Sequence, residues 1–195
     1  MIKILDNFLP QQYINDIEKL FFYHKDGSVA QINWHYNDRT ISLKTKLINK
    51  FHKNKNYTDT YQFTHNFCKK DKVYSPHFQT ILKILEKSKI NYTNIERIKA
   101  NFTTNNNKIK KSNLIMPHTD TGIDTVGKFI SMIYYVHNTD GDTLFFDNDK
   151  KTIIKRVTPK KGRAVIFFSD QFHSFETPVK KDKRVIINFM VKVSD

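Results

Sequence analysis

Pro117-His118-Thr119-Asp120 is the stretch around which the rest of the chain is read. Side chains on an extended segment alternate faces, so an imidazole and a carboxylate two residues apart, His118 and Asp120, point to the same side. One further imidazole brought in by the fold would place two nitrogens and one oxygen on one face of a metal, with the remaining positions open. His173 is the distant candidate for that nitrogen.

Arg184 opens the apolar run Arg184-Val185-Ile186-Ile187-Asn188-Phe189-Met190-Val191, whose β-branched and aromatic residues predict a buried strand. A guanidinium at the start of that strand matches a carboxylate with two parallel hydrogen bonds and suits one end of a dianionic acid. Metal face and anion clamp together suggest a 2-oxoglutarate site. His-x-Asp alone is a weak signal; the ordered set His118, Asp120, His173 and Arg184, each at a strand edge, is a strong one.

Outward from these residues the C-terminal half is a series of short strands. Ile95 to Thr103 alternates, with Ile98, Ala100 and Phe102 on one side and Lys99, Asn101 and Thr103 on the other. The Asn-rich tract from Thr104 to Ser112 predicts a solvated loop. Strands are then expected at Leu114 to Asp120, Phe129 to His137, Thr143 to Asp147, Thr152 to Val157, Ala164 to Phe168, around His173, and from Arg184 onward. Turns fall at Asp140-Gly141-Asp142 and Pro159-Lys160-Lys161-Gly162. Short strands at this spacing predict a sandwich or jelly roll.

The N-terminal half is less legible. Ile14, Ile17, Leu20 and Phe21 recur at helical spacing within Phe8 to Tyr23, and Pro10 suits a first turn. Ser75-Pro76 opens a second helix with Phe78, Ile81, Leu82, Ile84 and Leu85 on its apolar face. Both helices are expected to back a sheet. A turn is expected at Lys25-Asp26-Gly27-Ser28, and Trp34 is expected to anchor a peripheral strand. Residues 25–75 hold the candidate region for a lid or substrate loop. His137, at a strand end, is expected at the surface.

Length and composition set the frame. The 195 residues fit one domain, with residues 1–94 as a support region and residues 95–195 as the β core. Apolar residues make up 38% of the chain, with 16 Phe and 9 Tyr, which argues against disorder. No run is long and apolar enough for a membrane span, and the start lacks the apolar segment of a secretion signal. With its single cysteine, Cys68, the chain is expected in the cytoplasm, where a ferrous ion survives. The formal charge of +14 is the footprint of a nucleic-acid binder or of an AT-rich coding sequence. Lysine outnumbers arginine roughly five to one, and base-reading proteins lean on arginine, so nucleic acid is not the favoured partner.

The pattern His118-Thr119-Asp120, Ile133-Tyr134-Tyr135-Val136, Gly141-Asp142-Thr143-Leu144-Phe145, Pro159-Lys160-Lys161-Gly162, His173 and Arg184 resembles the Fe(II)/2-oxoglutarate-dependent dioxygenases. Within them it is most similar to the prolyl 4-hydroxylase-like branch, including small forms encoded by bacteriophages. The resemblance covers residues 95–193 and implies a mainly β fold with flanking helices, the double-stranded β-helix. It implies His118, Asp120 and His173 as iron ligands and Arg184 as the clamp for the far carboxylate of 2-oxoglutarate, assisted by Tyr135. Leu144 falls in the cosubstrate region of the pattern, and Asn101 and Asn188, polar residues on core strands, are further candidates for contact with cosubstrate or a metal ligand.

Fe(II), 2-oxoglutarate and O₂ are the implied cofactors, with ascorbate as an accessory reductant and succinate and CO₂ as coproducts. The carboxylate of Asp120 favours hydroxylation, because halogenating relatives carry a small residue there. Many relatives have a second glycine where this chain has Asp142, and some have a serine where it has Ile186. Three classes stay open: a hydroxylase of peptidyl proline, an oxygenase of nucleobases or a free amino acid, and a jelly-roll module that holds metal without turnover. Peptide or small molecule is the expected partner.

Overall fold

The alternation predicted over Ile95 to Thr103 is realised in an eleven-residue strand, Asn94–Thr104, at the centre of the main sheet. The computed structural model describes residues 1–22, 27, 30–40, 57–105, 114–121 and 127–194. In chain order its elements are β1 (Ile2–Leu5), α1 (Gln11–Phe21), β2 (His35–Asn37), β3 (Tyr57–Thr58), β4 (Gln62–Lys69), β5 (Lys72–Val73), α2 (Phe78–Lys87), β6 (Asn94–Thr104) and β7 (Leu114–Ile115). There follow β8 (Phe129–Tyr135), β9 (Thr143–Phe146), β10 (Ile153–Val157), β11 (Ala164–Phe168), β12 (His173–Phe175) and β13 (Lys183–Lys192). The main sheet runs β1-β11-β8-β13-β6-β4-β2 with β5 on β4, the minor sheet runs β10-β9-β12, and β3 pairs with β7.

Two apolar sets explain why the central strands read as nearly continuous hydrophobic runs. Met132, Tyr134, Ile166, Val185, Ile187 and Phe189 face the helices, packing with Ile14, Ile17 and Phe21 of α1 and Ile81, Ile84 and Leu85 of α2. Their neighbours Ile133, Tyr135, Val165, Phe167 and Ile186 point the other way and meet Phe145 and Val157 of the minor sheet. A strand covered on both faces has no polar side to alternate with. The mainly β architecture, with two flanking helices among the described residues, is the expected one.

Several boundaries differ from the sequence expectation. Helix α1 begins at Gln11, with Pro10 as its N-cap rather than in its first turn, and ends at Phe21. The expected strand from Leu114 to Asp120 stops at Ile115, because Pro117 has no N–H for a ladder. Beyond it His118 forms an isolated bridge to His173, each backbone N–H donating to the other's carbonyl at 2.9 Å. The eight-residue strand β4, in a stretch where no element is expected from the sequence, joins the main sheet between β6 and β2.

Trp34 is half-buried against Phe21 and Phe102, as expected of an anchor. His137 is a correction. Its Nε2 accepts the Val185 N–H at 3.2 Å, its ring packs on Phe22, and burial, then Lys183, pushes its pKa down to about 4. A strand-end position does not imply exposure when an adjacent strand lies across it. The turn expected at residues 25–28, most of the loop from Thr104 to Ser112 and a large part of the lid region lie outside the described residues. No helix among the described residues is long and apolar enough to cross a membrane.

Candidate metal centre

His118 and His173 are brought together by their backbone bridge, and Asp120 is pinned beside them by its own N–H, which donates to the Ser169 carbonyl at 2.9 Å. One ligand atom from each of His118, Asp120 and His173 lies within 4.8 Å of the others. Nδ1 of His173 sits 2.9 Å from the Gln171 carbonyl and Nδ1 of His118 sits 3.4 Å from that of Met116. Donation from Nδ1 leaves each Nε2 lone pair free, the tautomer a metal ligand needs. Two neutral imidazoles and one carboxylate suit a divalent first-row metal such as Fe(II).

The electrostatics hold these groups in binding form. Burial, then His173, pushes the pKa of His118 down to about 3, so it is neutral well into the acid range. Burial opposes ionisation of Asp120, but His173, Arg97 and His118 together with the hydrogen bond from Ser131 outweigh it, and the carboxyl stays well below the usual carboxylate range. Its Oδ1 accepts from Arg97 Nη2 at 2.8 Å. Its Oδ2 accepts from Ser131 Oγ at 2.6 Å and Asn188 Nδ2 at 3.3 Å. Ser131 also meets Ser169 Oγ at 2.9 Å.

Arg184 is 2% exposed and forms no ion pair among the described residues. Its Nε donates to the Gly141 carbonyl and its Nη2 to Thr143 Oγ1, both at 2.8 Å, and its guanidinium lies 5.0 Å from the Phe175 ring centre. Burial pushes its pKa down to about 10. Tyr135, fully buried and pushed up to about 12 by burial, donates to the same Thr143 hydroxyl at 2.7 Å. A buried guanidinium bonded only to neutral oxygens is costly unless an anion completes it. The pairing of Ile186 with Tyr135 and of Asn188 with Ile133 puts Arg184, Ile186, Asn188, Ile133 and Tyr135 on the inner face.

The other candidates divide. Asn188 reaches Asp120 while its Oδ1 is buried without a partner among the described residues, and Asn101 has an equally unpartnered Oδ1 on the same face. Leu144 is a correction: alternation along β9 sends Thr143 and Phe145 inward and Leu144, opposite Ser174, to the other face. Thr143 is the residue of that strand which contacts Arg184. Sequence reasoning missed Arg97, Ser131 and Thr143. Arg97 had a legible signal, since it shares the polar parity of Lys99, Asn101 and Thr103. Ser131 and Thr143 look like ordinary strand residues until the tertiary contacts are known.

A family model described as the 2OG-Fe(II) oxygenase superfamily matches residues 104–192. No curated protein matches the chain. Among solved structures, a 2OG-Fe(II) oxygenase family oxidoreductase from Burkholderia pseudomallei superposes with a TM-score of 0.65 at 12% identity, covering 97% of this chain and 84% of that one. A prolyl-4-hydroxylase from Pseudomonas putida gives 0.57 at 11% identity, covering 100% and 93%. A prolyl hydroxylase from Trichoplax adhaerens, in complex with a hypoxia-inducible-factor peptide fragment, gives 0.60 at 13% identity, covering 98% and 83%. At these identities the superpositions establish a shared fold.

Proposed function

We propose that this chain, whose residues 104–192 match the 2OG-Fe(II) oxygenase superfamily model, hydroxylates a C–H bond of its substrate at a centre held by His118, Asp120 and His173. The chain is an oxygenase, and its cofactors are Fe(II), 2-oxoglutarate and O₂. The observation that carries the site assignment is the convergence of those three donors on the sheet face that also carries the buried Arg184, which forms no ion pair among the described residues. Iron with 2-oxoglutarate and O₂ supplies oxidative decarboxylation to succinate and CO₂, coupled to oxygen insertion into the substrate.

The protein's part is placement. The Gln171 and Met116 carbonyls fix the imidazole tautomers, and Arg97, Ser131 and Asn188 keep Asp120 ionised and oriented. Arg184 offers a fork to the far carboxylate of 2-oxoglutarate, with Thr143 and Tyr135 as hydroxyls beside it. Apolar residues of the inner face, including Ile186 and Phe167, exclude water around it. Ile186 has no hydroxyl, so the helper that some relatives carry at this position is replaced here by apolar packing. We take the whole chain as one oxygenase domain, with residues 1–94 supporting the β core.

For the substrate, the prolyl hydroxylases among the fold neighbours support a peptidyl proline. A second reading, a free amino acid, is favoured by a polar cavity on β2, β4 and β6 whose described lining residues include no aromatic side chain on which a nucleobase could stack. Anaerobic titration of 2-oxoglutarate into iron-loaded protein tests the site, followed by aerobic assay for succinate. Saturable binding that disappears in His173→Ala or Asp120→Ala is expected. Absence of binding to the wild-type protein would refute the assignment.

A further inference from the structure

The inner face of the main sheet does not end at the metal centre. Lys99 on β6 pairs with Asn188 on one side and with Asn66 of β4 on the other, and Asn188 in turn reaches Asp120. Beyond the jelly roll, β6, β4 and β2 therefore continue that face as a platform. A cavity of about 590 Å³ lies on it, and every described residue lining it is polar or charged. A pocket of this size accepts a small organic molecule or a short peptide segment, but small-molecule pockets are ordinarily lined mostly by apolar and aromatic residues. The lining here calls for a hydrophilic ligand.

Its charge calls for an anion. Among the described residues, Arg39, Lys69, Arg97 and Lys99 line the cavity against one acid, Asp38, which lies 3.9 Å from Arg39. Arg97 gives Nη2 to Asp120, yet its Nε is buried with no partner among the described residues. Neither Lys69 nor Lys99 forms an ion pair or a side-chain hydrogen bond among the described residues, although Lys99 is half-buried. With iron and 2-oxoglutarate bound, Asp120 and Arg184 would balance those charges, and Arg97 and Lys99 would remain as positive charges beside the metal. Partly desolvated cations are favourable where a ligand supplies the opposite charge.

We propose that this cavity receives an anionic group of the primary substrate, a carboxylate or phosphate held by Lys99 and Lys69, which places the neighbouring C–H bond at the metal. The proposal rests on the oxygenase reading and adds a substrate class to it. The anionic group belongs to an acidic side chain of a peptide or to a small molecule, and the test separates these sources.

The experiment is calorimetric titration of iron-loaded, 2-oxoglutarate-saturated protein under anaerobic conditions with two matched pairs. One pair is the capped peptides acetyl-Asp-Pro-Asp-amide and acetyl-Asn-Pro-Asn-amide, and the other is phosphoserine and serine. In at least one pair the more acidic member is expected to bind about tenfold tighter or more, as a charge-assisted contact provides. Lys99→Met and Lys69→Met are expected to reduce that preference, and Lys99→Arg to retain it. Preference in the peptide pair assigns the anion to a peptide side chain; preference in the phosphoserine pair alone assigns it to a small molecule. Equal binding within both pairs, no binding by any of the four, or a preference indifferent to both Lys→Met variants overturns the proposal. Because 2-oxoglutarate is titrated into the wild-type protein first, failure of the oxygenase reading appears there, separately.

Discussion

Arg184 and Arg97 are both guanidiniums at the inner face, and their partners give them different work. Arg184 is bonded to a carbonyl and a hydroxyl and forms no ion pair among the described residues, although Asp142 favours its charge from further away, so the guanidinium lacks a direct anionic partner until a ligand arrives. Arg184→Met should weaken 2-oxoglutarate binding by about a hundredfold or more, the loss of a bidentate charged pair, while metal affinity is retained. Melting of the ligand-free variant should be no lower than wild type, because a buried unpaired charge is removed. Arg97 instead holds Asp120 low by direct contact. In Arg97→Met the proton competes with metal for Asp120 at higher pH, and the acid edge of Mn(II) or Fe(II) binding should move up by about one unit. Metal titrations across pH would show it; an unmoved edge means that Ser131 and Asn188 suffice.

At the scale of elements, the turn into β9 is as demanding as any side chain in the site. A Cβ on Gly141 would meet the Glu176 carbonyl at 2.5 Å and Arg184 Cδ at 2.9 Å. Backbone cannot give way there, so Gly141→Ala should push Arg184 aside: 2-oxoglutarate affinity should fall about tenfold, with metal binding unchanged in the same titrations. Position 141 has no room for a Cβ, a constraint that the neighbouring Asp142 does not share. Strand β4 shows why part of the fold was illegible. Tyr61, Phe63, His65 and Phe67 do recur at period two, but His65 breaks the apolar pattern. Its ring nitrogens are taken by the Asn33 carbonyl at 2.8 Å and Ser75 Oγ at 2.9 Å, contacts that only the fold supplies. The other face, Gln62, Thr64 and Asn66, is polar because it lines the cavity rather than a core. A strand whose second face lines a polar cavity looks like a loop.

Over the whole molecule, buried neutral imidazoles make stability depend on acid. His137 has its folded pKa pushed down to about 4 from 6.5, so between those values the unfolded chain binds a proton that the folded one refuses. Stability is thus complete above about pH 6.5 and declines as pH falls toward 4; His118 acts in the same direction in the metal-free protein. His137 should contribute a loss of about 1 kcal/mol, reduced by its partial contact with water. Chemical denaturation of metal-free protein at stepped pH would measure the decline, and His137→Gln, which can still accept the Val185 N–H, should flatten it. A pH-independent stability would mean that the ring is protonated in place.

By itself the sequence determined what is periodic or local: the apolar stripes of α1 and α2, the strand parity that gathers Arg184, Asn188 and Tyr135 on one face, and the His118 and Asp120 pair. The tertiary structure decided which distant groups meet. It closed His173 onto His118 by a backbone bridge, set Arg97 and Ser131 against Asp120, turned Leu144 away from Arg184, and extended the inner face through β4. The division has a physical cause. Alternation is a property of one strand and is written in consecutive residues, whereas register between strands far apart in the chain is fixed by the packing of both faces at once.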